Sequence, residues 1–237
     1  MTQTLRLPEP RNLIGGKWVE AHDGKTLDVI SPSDGKVFAS IAAGGPSDID
    51  AAISAARHAF EEGEWGRLTA VQRGRVLIRL SELIARDAEE LAQIESLDTG
   101  KPISQARADM VAAARYFEFY GAAADKVHGE HIPFMSGYDV KVLREPHGVT
   151  GHIIPWNYPA QMVGRTLAPA LAMGNATVMK PAEEACLAVL KIASLAGEAG
   201  IPPGAINIVT GEGHVAGAAL SEHRGIDFIS FTGSPEV

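Results

Sequence analysis

From Gly148 onward, short β-branched apolar runs alternate with amphipathic stretches, separated by Gly, Pro and Asn turn residues. The runs 149–154, 176–180, 206–209 and 226–231 have strand length. The stretches at about 158–173, 184–199 and 213–222 have helix length, the first ended by Gly174-Asn175 and the second by Gly200 and Pro202-Pro203-Gly204. Repeated βα units with connections this short imply right-handed crossovers and a parallel sheet covered on both faces. The distribution of charge agrees. Residues 150–237 hold 11 Asp, Glu, Lys or Arg among 88, against 39 in the first 149, and strands buried on both faces require such apolar continuity. The expected fold is α/β, a doubly wound parallel sheet.

The charged first part reads differently. Asn12–Glu20 and Thr26–Ile30 have the look of short antiparallel strands with turns at Gly15-Gly16 and Asp23-Gly24, a lead-in and not a site. Ser47 with Asp50 resembles a capping box ahead of Ile49, Ile53, Ala56 and Phe60 at helical spacing. Thr69 is placed to cap a second helix bearing Val76, Leu80, Leu83 and Ile84. Asp87 with Glu90 is placed to cap a third, which ends at Gly100 and Pro102. A fourth spans about 104–126, with Ala106, Met110, Ala113, Phe117, Tyr120 and Ala124 on its stripe; the aromatic cluster at 116–120 is read as packing. The helical period stops between 127 and 146, where Tyr138, Val140 and Val142 alternate as in a hairpin leaving the body. His128 and His131 are read as loop residues, so no metal site is assigned. Three regions result: strands and a helical layer over 1–127, an arm over 128–146 and the alternating portion over 147–237.

Composition narrows the partners. A formal charge of −8 and a pI near 5.5 give no electrostatic support for a nucleic-acid or anionic-membrane surface. No apolar run approaches the roughly 20 residues needed to span a bilayer. The lone cysteine, Cys186, forbids an intrachain disulfide, and the first residues lack the pattern of a secretory leader, so a cytoplasmic location is expected. Cys186 sits in EEACLAVL with no base beside it and reads as a small buried helical residue. Small molecules are the expected partners.

Four corners should lie along one edge of the sheet: Pro155-Trp156-Asn157, Lys180 to Glu183, Gly211 to Gly213 and Phe231 to Ser234. In open α/β sheets ligands gather at the carboxyl ends of strands, where backbone donors and helix N-termini converge. Each corner also has a plainer reading: Asn157 and Ser234 as helix caps, Gly211 and Gly213 as turn residues, Lys180 and Glu183 as a surface pair. The fingerprint G-x-G-x-x-G does not occur; Gly211, Gly213 and Gly217 are spaced one residue too far.

The segments IIPWNYP, MKPAEEA, GIPPGAINIVTGEG and SFTGSPEV, in this order and spacing, resemble the aldehyde dehydrogenase superfamily, from about Leu13 to Val237. The resemblance implies a Rossmann-like variant preceded by a helical layer, with 128–146 as an oligomerisation arm and a homodimer or homotetramer as the full-length assembly. It makes Asn157 the catalytic amide that helps hold the oxyanion formed when a thiolate adds to an aldehyde. Lys180 and Glu183 match residues that bind the adenosine ribose. A carboxylate there accepts from both hydroxyls and repels a 2′-phosphate, so NAD is implied over NADP. Gly233 and Ser234 match the helix start that takes the pyrophosphate. Ile154, Pro155, Trp156, Gly213, Gly217 and Phe231 match the rest of the cofactor groove, and Tyr158, Met162 and Arg165 resemble the substrate tunnel, where Arg165 would suit a carboxylate-bearing aldehyde.

The family's nucleophilic Cys and general-base Glu match no residue of this sequence. The apparent helix start at Ser234-Pro235-Glu236-Val237 gives the expectation of an N-terminal part of a longer NAD-dependent enzyme, oxidising an aldehyde to an acid through a cysteine thiohemiacetal and inactive as this fragment alone. A truncated, non-catalytic dinucleotide-binding or interaction module and a CoA-acylating relative are the alternatives.

Overall fold

The computed structural model describes residues 5–234, so the helix start expected at 235–237 lies outside the described residues. Gly15 and Gly16, at φ 58° and 78°, turn a tight hairpin of β1 (Asn12–Ile14) and β2 (Lys17–Val19). A second hairpin follows, β3 (Thr26–Ile30) with β4 (Val37–Ala42). β4 was not expected from the sequence, because its Ala and Ser residues dilute the β-branched signal.

The helical layer comprises α1 (Pro46–Glu61), α2 (Glu64–Arg67), α3 (Ala70–Arg86), α4 (Ala88–Thr99) and α5 (Ile103–Ala123). Thr69 caps α3 as expected: its hydroxyl accepts from the Gln72 N–H at 3.3 Å, and the Gln72 side chain accepts from the Thr69 N–H at 2.9 Å. Two other expected caps are corrected. α1 begins at Pro46, and Asp48 accepts from the Gly45 N–H at 2.9 Å, so Ser47 and Asp50 form no box. The Asp87 carboxylate is taken by Arg86, at 2.7 and 2.8 Å, and makes no cap bond to α4. Gly100 ends α4 at φ 74°.

The arm is a hairpin of β5 (Glu130–Ile132) and β6 (Val140–Val142), with Ile132, Phe134, Met135, Tyr138 and Leu143 exposed. His131 Nε2 lies 2.9 Å from Asp139 Oδ1. The alternating portion then runs β7 (Val149–Ile153), α6 (Pro159–Ala172), β8 (Ala176–Lys180), α7 (Leu187–Ala199), β9 (Ile206–Ile208), a π-helical turn at Gly213–Gly217, α8 (Ala218–Glu222) and β10 (Phe228–Phe231).

The main sheet has the order β10-β7-β8-β9-β1-β2. Its first four strands are parallel, as expected, whereas β1 joins β9 antiparallel, Leu13 opposite Ile208. The N-terminal hairpin is therefore the sheet's far edge, and the sheet is mixed. Asn12 Oδ1 accepts from the Thr210 N–H at 3.0 Å and Asn207 Oδ1 from the Gly15 N–H at 2.9 Å, which ties that edge on. β8 and β9 are buried throughout. α1 and α8 pack on one side of the sheet and α6 and α7 on the other, with α3, α4 and α5 behind them.

α6 and α7 are the helices that leave the first two corners. α7 starts at Leu187, three residues later than expected, where Asp98 of α4 accepts its first N–H at 2.8 Å. α6 starts at Pro159, and Glu95 of α4 accepts from the Ala160 N–H at 3.0 Å. One helix thus caps two others. Burial pushes the Glu95 and Asp98 carboxyls up to about 7, against the pull of Lys101 on Glu95 and of the Leu187 N–H on Asp98.

The core runs from α3 (Leu77, Leu80, Ile84) through α5 (Met110, Phe117) to α6 (Val163, Leu167). Phe117 is fully buried. Phe117→Ala should destabilise by about 3–5 kcal/mol, read as a lower denaturant midpoint in the full-length protein; a loss of less than about 1 kcal/mol would show that the helical layer is not part of this core.

Candidate functional site

Because β7, β8, β9 and β10 are parallel, their carboxyl ends share one edge. Backbone bonds continue just past the strands: Ile154 N–H donates to Lys180 O at 3.2 Å and Thr232 N–H to Ile153 O at 3.1 Å. These bonds hold the first, second and fourth corners side by side. The third arrives by a sharp turn after β9 at Gly211, whose φ is 149° and where a Cβ would come within 2.4 Å of Gly44 O. The plain reading therefore holds for Gly211, a turn residue, and not for Gly213, which opens the π-helical turn beside Lys180 and Glu183.

Between these corners lies a cleft of about 880 Å³. Ile154, Pro155, Trp156, Asn157, Lys180, Glu183, Gly213, Gly217, Phe231, Gly233 and Ser234 all line it. Its walls also include Ala182 and Thr232, which belong to the expected corners, and Glu184, His214 and Ser221, for which the sequence pattern predicts no role. Glu184 and His214 follow corner residues by one position and Ser221 follows Gly217 by four, and their residue types form no motif. Trp156 and Phe231 present exposed rings to the opening.

Lys180 is buried, with 3% exposure, and is not half of a surface pair. Its Nζ bonds Glu183 Oε2 at 2.5 Å, while Gly213 N–H donates to Glu183 Oε1 at 3.0 Å. Burial works against the charged form of Glu183, but the bonds from Lys180 and Gly213 outweigh it and hold the carboxyl below its ordinary range. A fixed, ionised acceptor therefore stands at the cleft wall.

Asn157 is exposed, and the N-cap position of α6 belongs to Tyr158. The first turn is held from elsewhere, by Glu95, so the capping role is not what Asn157 supplies. Tyr158, Met162 and Arg165 lie outside the cleft. The Tyr158 ring sits 4.8 Å from Lys101 Nζ and its hydroxyl accepts from Gln105 Nε2 at 3.2 Å, Met162 is buried in the core, and Arg165 is exposed.

The Aldehyde dehydrogenase family model matches residues 18–237. The chain belongs to the aldehyde dehydrogenase family. It is 43% identical over 237 residues to betaine aldehyde dehydrogenase of Bacillus subtilis, covering 100% of this chain and 47% of that protein. A crystal structure from Burkholderia cenocepacia, assigned to the aldehyde dehydrogenases, superposes with a TM-score of 0.94 at 60% identity, covering 95% of this chain and 48% of that one. Betaine aldehyde dehydrogenase from Staphylococcus aureus in complex with NAD+ superposes with a TM-score of 0.94 at 39% identity, covering 97% and 46%. The chain spans about half the length of the curated relatives it matches.

Cys186 occupies the N-cap position of α7, just before the helix rather than within it, and is fully buried. Burial, with the nearby Asp98 carboxylate, pushes its thiol well up. Such a thiol is inert in the folded state. In the full-length aldehyde dehydrogenase, iodoacetamide should leave Cys186 unmodified until denaturant is added, as followed by peptide mass spectrometry; rapid native labelling would contradict the burial.

Proposed function

We propose that this chain is the cofactor-binding, N-terminal part of an NAD-dependent aldehyde dehydrogenase that oxidises an aldehyde to a carboxylic acid. One observation carries the reading: the Lys180–Glu183–Gly213 arrangement faces the same cleft as Asn157. The cleft fits a dinucleotide in chemistry as well as in size. An ionised carboxylate, already oriented, accepts from a pair of ribose hydroxyls, and Lys180 balances its charge. Exposed Trp156 and Phe231 offer apolar faces along the groove, and Gly213 and Gly217 let a flat group approach the backbone. NAD bound here would supply a hydride acceptor.

Asn157 has a different task. Its amide donates to the oxyanion that develops when a thiolate adds to the aldehyde carbonyl, and a donor fixed in advance favours that state over the neutral aldehyde. We assign the thiolate and the base that activates water to the remainder of the full-length protein. The substrate tunnel is assigned to Tyr158, Met162 and Arg165, where exposed Arg165 favours a carboxylate-bearing aldehyde. Residues 128–146, with their exposed apolar side chains, are assigned to contact with a second copy in a homodimer or homotetramer, and 1–127 and 147–237 to one NAD-binding domain. The cytoplasm is the proposed compartment, consistent with a single buried, unpaired cysteine.

In the full-length enzyme, Asn157→Ala should lower kcat by roughly a hundredfold or more. Steady-state kinetics on a small aldehyde checks this, and a change near unity would remove the oxyanion role.

Glu183→Gln should weaken NAD binding by about tenfold and narrow the preference for NAD over NADP, since the repulsion of a 2′-phosphate goes with the charge. Because the carboxyl titrates below its ordinary range, wild-type NAD affinity should be flat from about pH 6 to 9 as read by fluorescence titration. A steep loss toward pH 6 would contradict an ionised Glu183.

A further inference from the structure

We propose that Glu95, Lys101 and Asp109, none of them in the cleft, form a positioning network that fixes the direction of the Asn157 amide. The proposal rests on the oxyanion reading of Asn157 given above.

Three of the four residues that follow Asn157 contact this network. Glu95 Oε2 accepts from the Ala160 N–H at 3.0 Å, and Lys101 Nζ lies 4.8 Å from the centre of the Tyr158 ring. Asp109 Oδ1 accepts from Gln161 Nε2 at 2.6 Å. The three groups are bound to one another, with Lys101 Nζ at 2.6 Å from both Glu95 Oε1 and Asp109 Oδ2. Exposure of their side chains is 8% for Lys101, 0% for Glu95 and 3% for Asp109. Tyr158, Ala160 and Gln161 thus touch the same buried cation or its two carboxylates, directly or in one step.

The physical case is one of rigidity. The helix start after Asn157 has no local side-chain cap. A strand-to-helix corner with a free first turn would let the preceding amide swing, and an oxyanion donor displaced by an ångström loses most of its effect. Charges removed from water hold one geometry strongly, because any departure leaves an unpaired ion in a poorly polar surround. A network that served only to join α4, α5 and α6 would need no contact with three of the four residues after Asn157. Here those contacts concentrate at that corner.

The test uses the full-length enzyme with Glu95→Gln and Gln161→Met, each alone and combined with Asn157→Ala, and kcat normalised to NAD-binding sites counted by fluorescence titration. Gln161→Met removes a single bond and leaves the contacts of Lys101 with both carboxyl groups in place, so it reports even if Glu95→Gln folds poorly. With Asn157 present, Glu95→Gln should lower kcat about tenfold and Gln161→Met about threefold, with the NAD Kd within about twofold of wild type. In the Asn157→Ala background the same changes should cost less than about twofold, because the group being positioned is gone. Equal losses in both backgrounds would overturn the network's role and leave the oxyanion reading standing. An Asn157→Ala effect near unity would overturn both.

Discussion

Two backbone N–H groups, those of Ala160 and Leu187, decide how the helical layer meets the sheet. A helix start buried without a partner for its N–H groups is costly, at roughly 1–3 kcal/mol for each unsatisfied donor. α6 and α7 leave the first and second corners with no side-chain cap of their own. Both are served by α4, whose Glu95 and Asp98 stand one turn apart on a rigid rod. The spacing of the two carboxylates therefore matches that of the two helix starts, while the ladder between β7 and β8 fixes the separation of the strand ends. The cleft lies between the corners that these contacts hold.

This dependence explains what could be read in the sequence. The sheet was legible because burial on both faces imposes continuous apolar runs at 149, 176 and 206, and because Gly and Pro mark their ends. Thr69 was legible because its partner, Gln72, is three residues away. Glu95 and Asp98 were not, since their partners lie 65 and 89 residues further on. Asp87 was misread for a related reason: a carboxylate beside an arginine has a competing partner that a capping pattern ignores. Pairing of β1 with β9 was likewise invisible, because short strands carry no label for their neighbour.

The cleft was more legible than the fold around it. Parallel strands bring their carboxyl ends to one edge wherever they stand in the chain, so the four corners line one cleft. Tyr158, Met162 and Arg165 stand outside the cleft, at the start of α6 and along its first turns. Glu184, His214 and Ser221 line it without any pattern of their own.

The electrostatics of the cleft wall follow from the same economy of partners. A carboxylate has about four acceptor positions, and Glu183 has committed two, to Lys180 Nζ and to the Gly213 N–H. The remaining lone pairs can meet a pair of hydroxyls without any movement of the side chain, so little ordering entropy is lost when a ligand arrives. Lys180, buried and already paired, offers no free positive charge to an added phosphate. A wall built this way suits hydroxyls better than anions, because the Glu183 carboxylate repels an added phosphate and the nearby cation is already paired within the protein.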